Sequence, residues 1–228
     1  MSVLGVDTST RTTSIALGGV DSPGSAGARS DAERRGVWIE RTFGGVGRDS
    51  ELLVKIDELC RDAGVAPREL EAVAVGAGPG SFTGLRIGMA TAKGIAFAAG
   101  RPLWVASSLA ALAWRVREVD ADVVVAVIDA RRGEVYAGAY ARETLEPVAP
   151  EAVMPPGELA AWAARIANGR RTAFAGDFQP IAATPSALGV IALATRQDVL
   201  VTGAPHYLRP SEAEVKYPDG VPGALRKR

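Results

Sequence analysis

Polar and apolar positions along the chain fall into runs that predict two successive β-rich units, each closed by helices. Val3-Leu4-Gly5-Val6 is a short apolar run ending at Asp7-Thr8-Ser9-Thr10. Thr13-Ser14-Ile15-Ala16-Leu17 then alternates as a half-buried strand does. Residues 21–36 are rich in Gly, Ser, Arg and Asp and read as a hairpin loop leading to a third strand over 37–43. Leu52, Leu53, Ile56, Leu59, Cys60 and Ala63 recur at helical spacing, with Asp49 or Ser50 as cap and Gly64 as stop. A strand over 70–75 follows, then a glycine-rich turn and a long helix reaching about residue 99. A strand over 102–106 and a helix over 108–119 complete the unit. The pattern then restarts. Residues 123–129 form an apolar strand that again ends in Asp, and Arg131-Arg132-Gly133 turns it into a partner strand over 134–140. A helix near 158–167, a strand near 172–175 and a weakly patterned helix over 185–195 follow. An extended segment over 204–216 is expected to pack back through Tyr207 and Leu208. The expected organisation is α/β, with a lobe over 1–119 and a reduced second lobe over 120–228.

The junction Gly76-Ala77-Gly78-Pro79-Gly80-Ser81-Phe82-Thr83-Gly84-Leu85-Arg86-Ile87-Gly88 stands out. Glycines before a helix raise the prospect of a phosphate cradle, with Ser81 or Thr83 capping the helix. The spacing fits neither phosphate template, because no Lys-Ser/Thr follows Gly84 and the glycines do not match the dinucleotide pattern. Within the helix, Gly84, Gly88, Ala92, Ala96 and Gly100 fall at i, i+4 steps on one face. A helical glycine costs about 0.8–1 kcal/mol against alanine, a cost met where something must approach the backbone closely. That neighbour is either the chain's own core or a partner. Arg86 and Lys93 interrupt the run, so it does not read as a membrane span.

Acidic and basic residues balance at 26 each, so no overall field draws the chain to nucleic acid or an anionic membrane. Cys60 is the sole cysteine and lies on an apolar helix face, which fits burial and a reducing compartment. With no leader-like start, a cytoplasmic location is expected. His206 is the only histidine, so one chain cannot supply a two-histidine metal site, and a Ser-His-Asp mechanism would have to use it. Trp38, Trp104, Trp114 and Trp162 are scattered and read as core. Asp7 and Asp129 are the remaining candidates for chemistry. A strand ending in Asp, followed by a hairpin, begins each lobe of actin-like ATPases, where the carboxylate holds a hydrated metal. The glycine such turns need two positions later is Ser9 in one unit and Arg131 in the other. ATP binding by this chain alone is therefore not expected. Each Asp could equally tie down its own turn.

The stretch from Gly78 to Gly88, together with Asp7-Thr8-Ser9-Thr10 and Ile128-Asp129-Ala130-Arg131-Arg132-Gly133-Glu134-Val135-Tyr136, resembles the TsaB (YeaZ) family. The resemblance implies an actin-like (ASKHA, ribonuclease H-like) fold with two duplicated lobes. It also implies a role in making threonylcarbamoyladenosine next to the anticodon of tRNAs reading ANN codons. In that family the catalytic, metal-binding paralogue is TsaD and TsaE is an ATPase, while TsaB is a non-catalytic scaffold that binds TsaD through N-lobe helices and forms homodimers. Carried onto this chain, the partner face would comprise Leu52, Leu53, Ile56, Gly84, Arg86, Gly88, Ala92 and Ala96. Asp7, Thr8, Ser9 and Asp129 would form a vestigial or interfacial nucleotide site. No metal or cofactor of its own is implied, any ATP or ADP lying at the complex interface, and tRNA would be met only through the complex. Two readings stand beside this one. The first is an actin-like small-molecule kinase using Asp7 and Asp129. The second is a glycoprotease-like peptidase, for which no nucleophile–base pair can be assembled.

Overall fold

The computed structural model describes residues 2–19, 39–45, 48–195 and 197–209. The loop expected over 21–36, Trp38, the side chain of Asp49 and everything beyond residue 209 lie outside them. In the first lobe, β1 (Ser2–Asp7), β2 (Thr12–Gly19) and β3 (Ile39–Gly44) form an antiparallel meander. β4 (Ala72–Gly76) and β5 (Leu103–Ala106) extend it in parallel, for the order β3-β2-β1-β4-β5. The second sheet has the order β8-β7-β6-β9, from β6 (Val123–Arg131), β7 (Glu134–Ala141), β8 (Ala152–Met154) and β9 (Thr172–Gly176). Here too a meander is followed by a parallel strand. The repeat of one strand order, with one strand fewer the second time, is the ribonuclease H-like, actin-type arrangement. β8 has only three residues, too few for a readable alternation.

Apolar helix faces decide the layers. α1 (Arg48–Asp62) and α2 (Phe82–Ala99) cover one side of the first sheet. Leu52, Ile56, Leu59 and Cys60 from α1, with Met89, Ala92 and Ala96 from α2, join Leu4, Val6, Ile15, Val73 and Val75 in one core. α3 (Ser108–Arg115) lies between the sheets, with Leu109, Leu112 and Ala113 against Val124, Ala126 and Ile128. It is shorter than the periodicity suggests, its C-cap falling at Val116. α4 (Pro156–Ala167) covers the far side of the second sheet through Leu159 and Ala163.

α5 (Ala187–Leu193) follows the second lobe in sequence but packs Ala187, Val190 and Ile191 onto the free side of the first sheet. A polar knot fixes its entry. Glu40 accepts from Ser14 Oγ at 2.8 Å, from Ser186 Oγ at 2.7 Å and from the Arg115 guanidinium at 3.0 Å, while Ala187 N–H donates to Ser14 Oγ at 3.0 Å. Half-buried hydrogen-bonded charge networks of this kind bind elements firmly when every member is satisfied. Among the described residues, no helix is long and apolar enough to cross a membrane.

Candidate functional site

The glycine junction and the Asp7-Thr8-Ser9 turn interlock. Ser81 caps α2, its Oγ accepting from Gly84 N–H at 3.3 Å, and Ser81 N–H itself donates to Ser9 O at 2.6 Å. Thr8 Oγ1 donates to Gly84 O at 2.7 Å. A Cβ on Gly84 would stand 2.2 Å from Thr8 O, and one on Gly88 would stand 2.2 Å from Thr8 Oγ1. The first turns of α2 thus lie directly on the β1–β2 turn, nearer than any side chain permits. The small residues of this helix face are spent on the chain's own fold.

Asp7 is sealed inside the same assembly. Its Oδ1 accepts from Ser9 N–H at 2.9 Å and from Ser9 Oγ at 2.6 Å, and its Oδ2 accepts from Ser108 Oγ at 2.7 Å. Burial pushes its pKa above the ordinary carboxylate value, outweighing the lowering effect of these donors and of Arg115. A raised folded-state pKa means the fold holds the protonated form more firmly than the unfolded chain does. The resulting stability is complete below about pH 4 and is lost as pH climbs through the folded value. Asp7→Asn should therefore gain stability relative to the parent as pH rises, which urea unfolding of both proteins at about pH 4.5 and 7.5 will show. An equal difference at both pH values would contradict this account of Asp7.

Asp129 occupies the equivalent place in the second lobe and ties its own turn. Its Oδ1 accepts from Arg131 N–H at 2.8 Å, and its Oδ2 lies 3.1 Å from the Arg131 guanidinium. Arg131 and Arg132 both hold left-handed backbone, with φ of 64° and 55°. Asp129 lines a cleft of about 930 Å³ between the lobes, together with Ser9, Gly80 and Phe82. Asp7 does not line it. At 1% exposure and with both oxygens engaged by Ser9 and Ser108, Asp7 is not open to a metal shared with Asp129, as a kinase would need. The feature they share is a side chain hydrogen-bonded to the backbone two residues on.

The expected partner face separates into two groups. Leu52, Ile56, Gly84, Gly88, Ala92 and Ala96 are buried in the first lobe's own core, so they form no outward surface. Leu53 is 59% exposed, and Arg86 is exposed beside the cleft. The i, i+4 glycine pattern marks the helix face that meets the sheet, because close approach is required there. Two residues further round α2, nearly opposite at about 100° per residue, lie the exposed Ala90, Gly94 and Ala98. A Cβ on Gly94 would meet nothing within 4 Å among the described residues. Next to them Phe97 is 78% exposed, and on adjoining α1 Leu53 and Val54 are open to solvent. Sequence reasoning missed this second stripe. Its signal was a mid-helix glycine out of phase with the others.

His206 lies elsewhere, at a second, largely apolar cavity. Its Nδ1 is 3.8 Å from Glu151 Oε2, and its backbone N–H donates to Ala77 O at 2.6 Å. Glu151 Oε1 accepts from Tyr140 OH at 2.6 Å and from Ser107 Oγ. The carboxylate, rather than the imidazole, stands between serine and partner, the reverse of the order a hydrolytic triad uses.

Residues 49–213 match the family model described as TsaD, tRNA N6-adenosine threonylcarbamoyltransferase. The chain is 36% identical over 144 residues to the tRNA threonylcarbamoyladenosine biosynthesis protein TsaB of Haemophilus influenzae, covering 63% of this chain and 55% of that protein. To the protein of the same name in Bacillus subtilis it is 40% identical over 98 residues, 42% of each. It spans about half the length of the curated relatives it matches. Among solved structures, a Pseudomonas aeruginosa protein described as uncharacterized, with similarity to peptidase YEAZ, superposes with a TM-score of 0.72 at 30% identity. That match covers 91% of this chain and 99% of the other. YeaZ from Pseudomonas aeruginosa gives a TM-score of 0.57 at 36% identity over 68% of each.

Proposed function

Because the chain belongs to the TsaB (YeaZ) family, we propose that it is a scaffold subunit in tRNA threonylcarbamoyladenosine biosynthesis. In this reading it binds and supports a TsaD-like catalytic paralogue that modifies the adenosine next to the anticodon. It performs no reaction of its own, and Asp7 and Asp129 serve as turn anchors.

One observation carries the partner-binding reading. The exposed face of α1 carries Leu53 and Val54, and that of α2 carries Phe97 beside the small residues Ala90, Gly94 and Ala98. A glycine inside a helix costs about 0.8–1 kcal/mol, and at Gly94 no neighbour among the described residues accounts for it. Small residues flanked by exposed apolar ones let a second helix settle close to the backbone, with Phe97 as anchor. Unlike the face marked by Gly84 and Gly88, this one is free to be covered. The test is to mix the chain with a TsaD-like paralogue and measure mass by light scattering. A one-to-one complex is expected, and two unassociated species at tens of micromolar would refute the proposal. The chain measured alone at the same concentration reports whether the face also accepts a second copy.

A further inference from the structure

Four large aromatic side chains are exposed among the described residues: Phe82, Phe97, Phe178 and Tyr207. Three of them, all but Phe97, line the cleft between the lobes. Phe178 is the most open, 82% exposed, at a backbone φ of 62°. Left-handed backbone costs a non-glycine residue roughly 1–2 kcal/mol. A strained backbone carrying a ring in solvent is the kind of residue that clusters at functional sites. Phe82 and Tyr207 pack ring to ring with centroids 5.1 Å apart.

The charged groups of the cleft match these rings. Arg86 places its guanidinium 3.9 Å above the Phe82 ring and donates from Nε to Tyr207 OH at 3.2 Å. Its plane is thereby fixed, and its terminal nitrogens have no hydrogen-bond partner among the described residues. Arg131 and Arg209 are paired with Asp129 and Glu134, whereas Arg11 and Arg86 make no ion pair among the described residues. Asp177 is turned to the protein, its Oδ2 accepting from Asp129 N–H at 2.9 Å. Exposed rings interleaved with arginines that lack counter-charges suit stacked bases and their phosphates. An acidic peptide would use the arginines but leave the open Phe178 ring without a role.

We propose that this cleft binds unpaired nucleotides of RNA, bases against Phe178 and the Phe82–Tyr207 pair, phosphate against Arg11 and Arg86. The choice of RNA as source rests on the proposed role in tRNA modification, while the chemistry of base and phosphate does not. The same chemistry could come from a free mononucleotide, so the experiment separates the two.

The test uses the isolated full chain, a fluorescein-labelled single-stranded RNA octamer and fluorescence anisotropy at low salt. The octamer should bind, and Phe178→Ala should weaken it about fivefold or more. Arg11→Glu should weaken it about tenfold and reduce the salt slope by about 0.7. Both side chains are exposed, and unfolding curves matching the parent confirm that the fold is kept. Displacement by AMP at concentrations comparable to the octamer assigns the site to free nucleotides, and resistance to AMP assigns it to a strand. Absence of octamer binding at tens of micromolar, parental affinity in both variants, or displacement by an oligoglutamate peptide would each overturn the proposal. The assay contains no partner protein, so its failure leaves the scaffold reading standing, and loss of partner binding leaves the octamer result unchanged.

Discussion

Gly88→Ala should unfold the chain at markedly lower urea, while Gly94→Ala, six residues along the same helix, should stabilise it. The substitution is the same and so is the helix. On propensity alone both gain about 0.8–1 kcal/mol. At Gly88 the new methyl would stand 2.2 Å from Thr8 Oγ1, a distance that forces backbone or side-chain displacement. Overpacking of this kind costs about 1–3 kcal/mol. Moving Thr8 also breaks its hydrogen bond to Gly84 O, adding about 1 kcal/mol. The net loss at Gly88 is about 1–3 kcal/mol, against a gain of up to about 1 kcal/mol at Gly94, where nothing among the described residues lies within 4 Å. Gly84→Ala, aimed at Thr8 O, should behave like Gly88→Ala. Urea midpoints of the three variants check this. A neutral Gly88→Ala would mean that α2 does not rest on the Asp7-Thr8-Ser9 turn as described.

Gly94→Arg and Phe97→Asp should each leave the fold intact and weaken binding to the TsaD-like partner by more than about thirtyfold. Arginine at Gly94 projects into open space in the free chain but would stand between two helices in a complex. Aspartate at Phe97 removes the most exposed ring of the face and places a charge where an anchor residue sits. Loss of a central anchor costs about 2 kcal/mol or more, which sets the thirtyfold figure. Isothermal titration of both variants, with unfolding curves on the same preparations, measures it. Gly88→Arg would not serve, because it would report unfolding as lost binding.

Much of this molecule is legible from patterning, and the failures have physical causes. The meander of β1, β2 and β3, the helical spacing of Leu52, Ile56 and Leu59, and the restart at Val123 all follow from side-chain periodicity. Periodicity reports burial, and burial is what it captured. It does not report what does the burying. The stripe Gly84, Gly88, Ala92, Ala96 is a buried face whether the covering surface is a partner or the chain's own sheet, and only the position of Thr8 decides between them. α5 escaped placement for a similar reason. Its apolar residues say that it packs, while its choice of the first sheet depends on Ser14, Glu40 and Ser186, which lie up to 172 residues apart in sequence and meet only in the fold. The cleft aromatics were hidden because Phe82 and Tyr207 lie far apart along the chain and Phe178 follows a strand end without any motif around it.

Side-chain footprinting by hydroxyl radicals tests the scaffold reading most directly. The chain is oxidised alone and in complex with a TsaD-like partner, and Leu53, Val54 and Phe97 are compared with Phe178 and Val201, which are exposed but belong to neither α1 nor α2. The account predicts strong protection of Leu53, Val54 and Phe97 and little change at the two controls. A complex that forms while Phe97 and Leu53 keep their free-chain oxidation rates would contradict it.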